Sequence, residues 1–98
     1  GLVLSLERMR ASTRSFAATL AREVASKSVT VNCVAPGWID TELTSTAGQS
    51  ARARAIEATP VGRAGTPDEI ADAVTFLVSQ RAAYVTGVVL QVNGGLYM

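Results

Sequence analysis

Hydrophobic and polar positions along the chain follow first a helical and then a strand-like spacing. Apolar or small residues recur every three or four positions over residues 9–24, which predicts an amphipathic helix whose inward face is Met9, Thr13, Phe16, Ala17, Leu20 and Val24. Ser5 is a candidate N-terminal cap for this helix, and residues 26–28 are its predicted end. Residues 29–34 are nearly all apolar and rich in β-branched side chains, as in strands that are buried on both faces.

The first strand is followed by a break and then by a long polar segment. Pro36 and Gly37 end the first strand, because proline lacks an N–H for the ladder and glycine accepts unusual dihedral angles. Residues 38–62 are small and polar, with a short helical piece at 51–58. Loops of that length in compact domains are usually functional. We therefore interpret residues 38–62 as a lid beside a ligand site.

A second helix has a clear predicted start. Thr66 suits the N-cap, Pro67 the first turn, and Glu69 the reciprocal position of a capping box. Its predicted buried stripe is Ile70, Val74, Leu77 and Val78. Residues 88–92 are again apolar and predict a second strand, which ends at Asn93-Gly94-Gly95.

Two strands separated by a helix predict a parallel pair in an α/β domain. Only one neighbour is predicted for the strand at 29–34, so its other edge is expected to be unpaired. Open α/β sheets bind ligands beyond the carboxyl ends of their strands. That rule places Ile39 and Thr41 where a ligand would lie.

The amino-acid composition excludes several kinds of functional site. The 98 residues carry a formal charge of +1, 48% hydrophobic residues, one cysteine and no histidine. Histidine-based triads and zinc sites are therefore excluded, and the scattered arginines argue against nucleic acid as the main partner. Cys33 lies within the apolar strand and is expected to be a small buried hydrophobe. No apolar run approaches the roughly 18 residues of a membrane span, and a cytoplasmic location is expected.

Three separated motifs resemble one family in the correct order. They are VNCVAPGWIDTELT, PVGRAGTPDEIADAVTFLVS and YVTGVVLQVNGGLYM. Together they resemble the carboxyl-terminal part of a short-chain dehydrogenase/reductase, and most closely the 3-oxoacyl-(acyl-carrier-protein) reductases. The resemblance implies an α/β fold that is the carboxyl-terminal half of a Rossmann-like doubly wound parallel sheet. Residues 1–98 are then a single part of one such domain, in the order helix, strand, lid, helix, strand.

The resemblance also implies a cofactor, NADP or NAD, and a set of contacts. Pro36 and Gly37 match the family's turn beside the nicotinamide, Ile39 the residue whose backbone holds the carboxamide, and Thr41 a hydroxyl near the carboxamide and phosphates. The substrate implied is a ketone, either a small molecule or linked to an acyl carrier protein. A homo-oligomer through the last helix and strand is implied as well, with Tyr84 and Tyr97 packing at that interface.

Departures from the family pattern concern the catalytic residues. Leu6 and Arg10 stand at the family's tyrosine and lysine positions, and the chain contains neither the catalytic serine nor the glycine-rich phosphate turn. Leucine cannot donate a proton, and arginine does not deprotonate in proteins. We expect no catalytic residue in this chain, weak or no dinucleotide binding by it alone, and no metal site.

Two classes of function stay open. The chain is either part of an NAD(P)(H)-dependent oxidoreductase of fatty acid synthesis, or an inactive interaction module derived from that family. Three origins are compatible with the departures at Leu6 and Arg10: an incomplete chain, a slipped reading frame near residues 3–8, or a genuine short protein.

Overall fold

Three parallel strands make one sheet in the computed structural model, which describes residues 1–5, 11–41 and 48–97. The strands are β1 (Leu2–Ser5), β2 (Val31–Pro36) and β3 (Val89–Val92), in the order β1-β2-β3. Both pairings are parallel. The two strands expected from the sequence are confirmed, as are their parallel arrangement and the α/β class.

Strand β1 was not predicted, and the expectation of an unpaired second edge on the central strand is wrong. All four residues of β1 pair with β2, beginning with Leu2 opposite Val31. Ser5 is the last residue of this strand, and its predicted role as a helix cap stays a prediction, because residues 6–10 lie outside the described residues. Four residues are too short for a periodic pattern to distinguish a strand from a helix start, so only the pairing partner reveals it.

Three α-helices lie within the described residues. They are α1 (Ala11–Val24), α2 (Gln49–Ala58) and α3 (Pro67–Leu77), with short 3₁₀ turns at Ala25–Lys27 and Gln80–Ala82. Both α1 and α3 pack against the central strand β2. In contrast, α2 makes no extensive contact with any other described helix or strand. The structure confirms the helix expected at 51–58, which begins two residues earlier, at Gln49.

The core centres on β2. Residues 31–34 are buried at every position, as predicted for a strand covered on both faces, and Leu77 of α3 and two alanines of α1, Ala17 and Ala21, are buried with them. Two predicted inward residues point outward instead: Phe16 is 61% exposed and Val78 is 47% exposed. In α1, alanines therefore occupy the buried positions, and Val78 is the C-cap, just past the last helical residue.

A buried polar residue near the start of β2 joins this strand to the segment before β3. The side chain of Asn32 is fully buried, donates to Val85 O (3.1 Å) and accepts from Val88 N (3.1 Å). The Thr86 hydroxyl accepts a hydrogen bond from Val31 N at 3.0 Å. Buried polar groups are stable only when paired, so these bonds hold the entry to β3 beside β2.

Candidate functional site

The predicted contact residues follow one another along the chain at the carboxyl edge of the sheet. Pro36, the last residue of β2, lies opposite Val92 of β3. The N–H of Gly37 donates to Val92 O at 3.1 Å, which extends the ladder by one residue. The chain then leaves the sheet toward Ile39 and Thr41. The structure therefore brings the predicted site residues to the position that the topology rule requires.

Gly37 is needed for a close approach between the two strand ends. A Cβ atom at this position would lie 2.8 Å from both Cα and Cβ of Asn93, the residue that follows β3. Such distances are far inside van der Waals contact, so a larger residue would push the strand ends apart. The close neighbour of Gly37 in this structure is therefore Asn93.

Ile39 is held in an extended conformation by a short parallel bridge to Gly65. Gly65 N donates to Trp38 O at 2.9 Å, and Asp40 N donates to Gly65 O at 3.0 Å. Successive peptide groups of an extended chain point to opposite sides, so the N–H and C=O of Ile39 itself point away from Gly65. The bridge fixes the direction of both groups.

Gly65 contacts this site, although the sequence did not single it out as a site residue. A Cβ atom on Gly65 would lie 2.7 Å from Cδ1 of Ile39, so the glycine makes room for the isoleucine side chain. The available signal was a glycine directly before the Thr66-Pro67 helix start. That signal does not predict which distant segment the glycine will contact.

Asp40 forms a bidentate ion pair with Arg52 of helix α2. Arg52 donates through Nε to Oδ1 at 3.0 Å and through its terminal nitrogen to Oδ2 at 2.8 Å. Hydrogen bonding to Arg52 is the main cause that lowers the pKa of the Asp40 carboxyl. Thr41 comes next; it is exposed and directly precedes residues 42–47, which lie outside the described part of the chain.

A cavity of about 160 Å³ borders the bridge. Its lining includes Trp38 and Ile39, together with Thr59, Asn93 and Gly94. Gly94 has φ +61°, and a Cβ there would lie 2.8 Å from Cγ2 of Thr59. Because Gly94 has no side chain, the turn after β3 can approach the end of α2.

The start of α3 also borders the cavity, through Glu69 and Ile70. Thr66 Oγ1 accepts from Glu69 N at 3.2 Å, and the Glu69 carboxylate accepts from Thr66 N at 3.1 Å, so the predicted capping box is confirmed. Arg63 also binds this carboxylate, at 2.7 and 2.8 Å. The Arg63 hydrogen bonds and those from Thr66 lower the pKa of Glu69 to about 2.

Other candidate groups do not form a reactive cluster. Cys33 is buried in β2, as expected, and burial raises the pKa of its thiol. Tyr84 and Tyr97 are strongly exposed. Residues 1–5, 11–41 and 48–97 contain no group of three or more His, Cys, Asp or Glu side chains that could hold a metal ion.

The family's catalytic positions cannot be placed. Leu6 and Arg10 both lie within residues 6–10, outside the described residues. Separately, no helix of the described chain is long and apolar enough to cross a membrane.

Comparisons with known proteins show which family this chain is similar to. A family model described as "Enoyl-(Acyl carrier protein) reductase" matches residues 6–97. The 3-oxoacyl-[acyl-carrier-protein] reductase FabG of Vibrio harveyi is 54% identical over 83 residues, which are 85% of this chain and 34% of the relative. The protein of the same name from Escherichia coli is 53% identical over the same shares of the two chains.

A more distant relative extends the match. The protein of that name from Pseudomonas aeruginosa is 48% identical over 89 residues, 91% of this chain and 36% of the relative. The chain thus spans about a third of the length of the curated relatives it matches. The family model covers nearly the whole chain, and the parallel α/β arrangement fits it; the chain belongs to the short-chain dehydrogenase/reductase family.

Proposed function

We propose that residues 36–41 form the nicotinamide-side wall of an NAD(P)(H) site in a cytoplasmic oxidoreductase. The observation that carries this proposal is the extended segment at Trp38–Asp40, which Gly65 holds at the carboxyl edge of the sheet. Relatives named 3-oxoacyl-[acyl-carrier-protein] reductase share about half of the residues. The reaction proposed is reduction of a 3-oxoacyl thioester, or a similar ketone, to the hydroxy form.

Each contact residue has a role that its chemistry supports. A carboxamide carries one donor and one acceptor group, and a backbone N–H and C=O such as those of Ile39 are chemically complementary to it. The Thr41 hydroxyl can bond to the carboxamide or to phosphate oxygens. Pro36 and Gly37 determine where this segment leaves the sheet, because Gly37 is bonded to Val92 and packed on Asn93.

The cofactor would supply the hydride, and the residues of this chain would only hold the nicotinamide in position. Proton transfer to the carbonyl needs a side chain that can donate at neutral pH, and Leu6 has none. Pyrophosphate binding needs a glycine-rich turn at a helix N-terminus, and no such motif is present in the sequence. We therefore propose that catalysis requires protein groups outside these 98 residues, and that residues 38–62 act as the lid of the completed site.

A chimera tests the cofactor wall. Residues 11–98 would replace the matching part of the Vibrio harveyi reductase, which keeps its own preceding residues. We expect the chimera to bind NADPH in a fluorescence titration. Thr41→Val should weaken binding about two- to tenfold through the lost hydrogen bond, and Thr41→Ser should retain it.

The matched control is Thr75→Val, which changes an exposed threonine of α3 in the same way. Unchanged NADPH affinity in this control together with weaker binding in Thr41→Val supports the proposed wall. Equal affinity in both valine variants contradicts the role of Thr41. A folded chimera that binds no dinucleotide contradicts the proposal as a whole.

A second candidate function is self-association through the last helix and strand. Strand β3 is an edge strand of the described sheet, and Phe76 and Val78, at the end of α3, are 44% and 47% exposed. Tyr97, which follows β3, is 68% exposed. Open edges and exposed apolar side chains favour pairing with another chain, here a second copy of this one.

Sedimentation of two phenylalanine variants tests this surface. Phe76→Lys should shift the chain toward monomer, because a charge would enter the proposed contact. Phe16→Lys is the matched control, since Phe16 is equally apolar and 61% exposed but lies on α1. Monomeric behaviour of the unaltered chain, or equal shifts in both variants, would contradict self-association through this surface.

A further inference from the structure

The chain contains two asparagines, and their chemical surroundings are opposite. Asn93 is followed by Gly94 in the turn after β3, whereas Asn32 is followed by Cys33 within β2. The carboxamide carbon of an asparagine can be attacked by the backbone nitrogen of the next residue. Glycine at that next position hinders the attack least, because it has no side chain. The sequence at 93–94 therefore supplies both reacting atoms.

The backbone nitrogen of Gly94 is accessible in the structure. It donates no hydrogen bond to any residue within the described ranges, and Gly94 is exposed to solvent. At the other asparagine, the corresponding nitrogen is that of Cys33, which donates to Val88 O at 2.9 Å inside the buried sheet. An attacking nitrogen must first lose its proton, so the nitrogen after Asn32 is protected and the nitrogen after Asn93 is not.

The carboxamide of Asn93 is held over the turn. Its Oδ1 accepts from Gly95 N at 2.9 Å, and its Nδ2 donates to Gln91 Oε1 at 2.9 Å. The first bond folds the side chain forward along the chain, over the peptide group of Gly94. A donor on Oδ1 also stabilises the negative charge that develops on this oxygen when a nucleophile adds to Cγ. The turn thus orients and polarises the carbon that reacts.

We propose that Asn93-Gly94 is a site of spontaneous deamidation through a succinimide. The nitrogen of Gly94 loses its proton to water and bonds to Cγ of Asn93. The Cγ–Nδ2 bond breaks, and Nδ2 leaves as ammonia with a proton taken from water. A second water then opens the ring. Cleavage at Cγ gives aspartate, and cleavage at the former backbone carbonyl gives isoaspartate. Nothing is oxidised or reduced, and water is the only co-reactant.

Isoaspartate changes the backbone at the point where the two strand ends meet. The main chain then runs through Cβ and Cγ of residue 93, which lengthens it by one methylene. Gly37 leaves little space for this change, because even a Cβ atom on it would lie 2.8 Å from Cα and Cβ of Asn93. The same turn accepts a hydrogen bond from Val61 N to Gly94 O at 3.1 Å. The reaction therefore loosens the turn from Gly37 and from Val61.

Peptide mass spectrometry of the full chain tests the reaction at both asparagines, in neutral buffer and in urea. Replacement of NH2 by OH raises the peptide mass, and methylation by a protein-isoaspartate methyltransferase quantifies isoaspartate. Asn93 should convert at least as fast in buffer as in urea, whereas Asn32 should convert in urea alone. Asn93→Gln keeps a carboxamide but would need a larger ring, and it should stay unmodified.

Amide hydrogen exchange tests the structural consequence. After conversion, the amides of Gly37 and Val61 should exchange faster than in the unaltered chain. Asn93→Asp carries the charge of a product on a normal backbone and should leave both amides slow.

The inference goes beyond the proposed function, because neither dinucleotide nor substrate takes part, and loss of NADPH binding by the chimera leaves it unaffected. Conversion of Asn93 that is much slower in buffer than in urea would overturn the site, since the fold would then protect it. Equal conversion of Asn32 in both solutions would contradict the protection ascribed to β2. Unchanged exchange at Gly37 and Val61 in the converted chain would overturn the loosening of the turn.

Discussion

Helices α2 and α3 are almost equal in length, yet they are stabilised in opposite ways. Helix α3 begins with a complete capping box, packs on β2 and β3 and buries Leu77. Helix α2 begins at Gln49, its N-cap residue Gly48 has no side chain that could cap it, and it buries no residue. Helix length therefore says little about local stability. The parts of the molecule that a helix contacts decide whether it unfolds with the core or separately.

The largest expected effect on stability comes from truncating Leu77, the buried side chain of α3. Leu77→Ala should lower the free energy of unfolding by about 2–5 kcal/mol, because Leu77 is 2% exposed and its truncation leaves a cavity. Ile56→Ala is the matched change on α2, where the side chain is only partly covered, and its effect should be much smaller. Urea titrations compare the two. Equal losses would contradict the distinction between a packed and an unpacked helix.

The next effect concerns the helix cap. Thr66→Ala should lower the free energy of unfolding by about 1 kcal/mol, since the alanine cannot accept from Glu69 N. Thr66→Ser keeps the hydroxyl and is the control. If serine and alanine destabilise the chain equally in thermal unfolding, the cap hydrogen bond does not contribute as the structure suggests.

A matched pair of glycine substitutions separates global from local stability. Ala71 in α3 and Ala53 in α2 are both exposed, so glycine at either position lowers helix propensity by about 0.5–1 kcal/mol. Ala71→Gly should reduce the free energy of global unfolding by that amount. Ala53→Gly should leave it unchanged and accelerate amide exchange only within α2. Equal global losses from both would show that α2 unfolds together with the core.

The smallest expected effect is the pH dependence of the Glu69 contacts. The folded-state pKa of Glu69 is lowered to about 2 from an ordinary value of 4.5, first by Arg63. A carboxyl with a lowered pKa stabilises the fold fully above its unfolded value, and this stabilisation is lost as the pH falls from about 4.5 toward 2. Solvent screening keeps the contribution small, because both side chains are exposed.

Unfolding curves from pH 6 to pH 2 measure this effect against Glu69→Gln. The variant should lose less stability than the unaltered chain over that range, because its side chain does not titrate. Parallel pH profiles for the two proteins would assign the acid sensitivity to other carboxyl groups.

Much of the fold follows from patterns that are local in the sequence. The Thr66-Pro67-Glu69 start, the apolar run of β2 and the run of β3 each involve residues within a few positions of one another. Burial of residues 31–34 and the capping box agree with those predictions. These features could be predicted because short-range backbone sterics, capping and hydrophobic periodicity act within a single element.

The candidate site was only partly predictable. The topology rule and the family motifs selected Pro36, Gly37, Ile39 and Thr41, and the structure places them along one edge of the sheet. The individual contact roles of these residues stay predictions. Neither the rule nor the motifs indicated that Gly65 would bridge Ile39, because that contact joins the start of the polar stretch 38–62 to a residue just beyond its end.

By itself, the sequence determined the parallel α/β class, the helix and strand order from α1 onward, the capped start of α3 and the family. Tertiary structure alone decided that β1 pairs with the second edge of β2, that Gly37 packs on Asn93 and that Arg52 reaches Asp40. The physical reason is distance along the chain. Local propensity and capping depend on residues that are close in sequence. Pairings between remote segments form only when packing of the whole sheet brings those segments together.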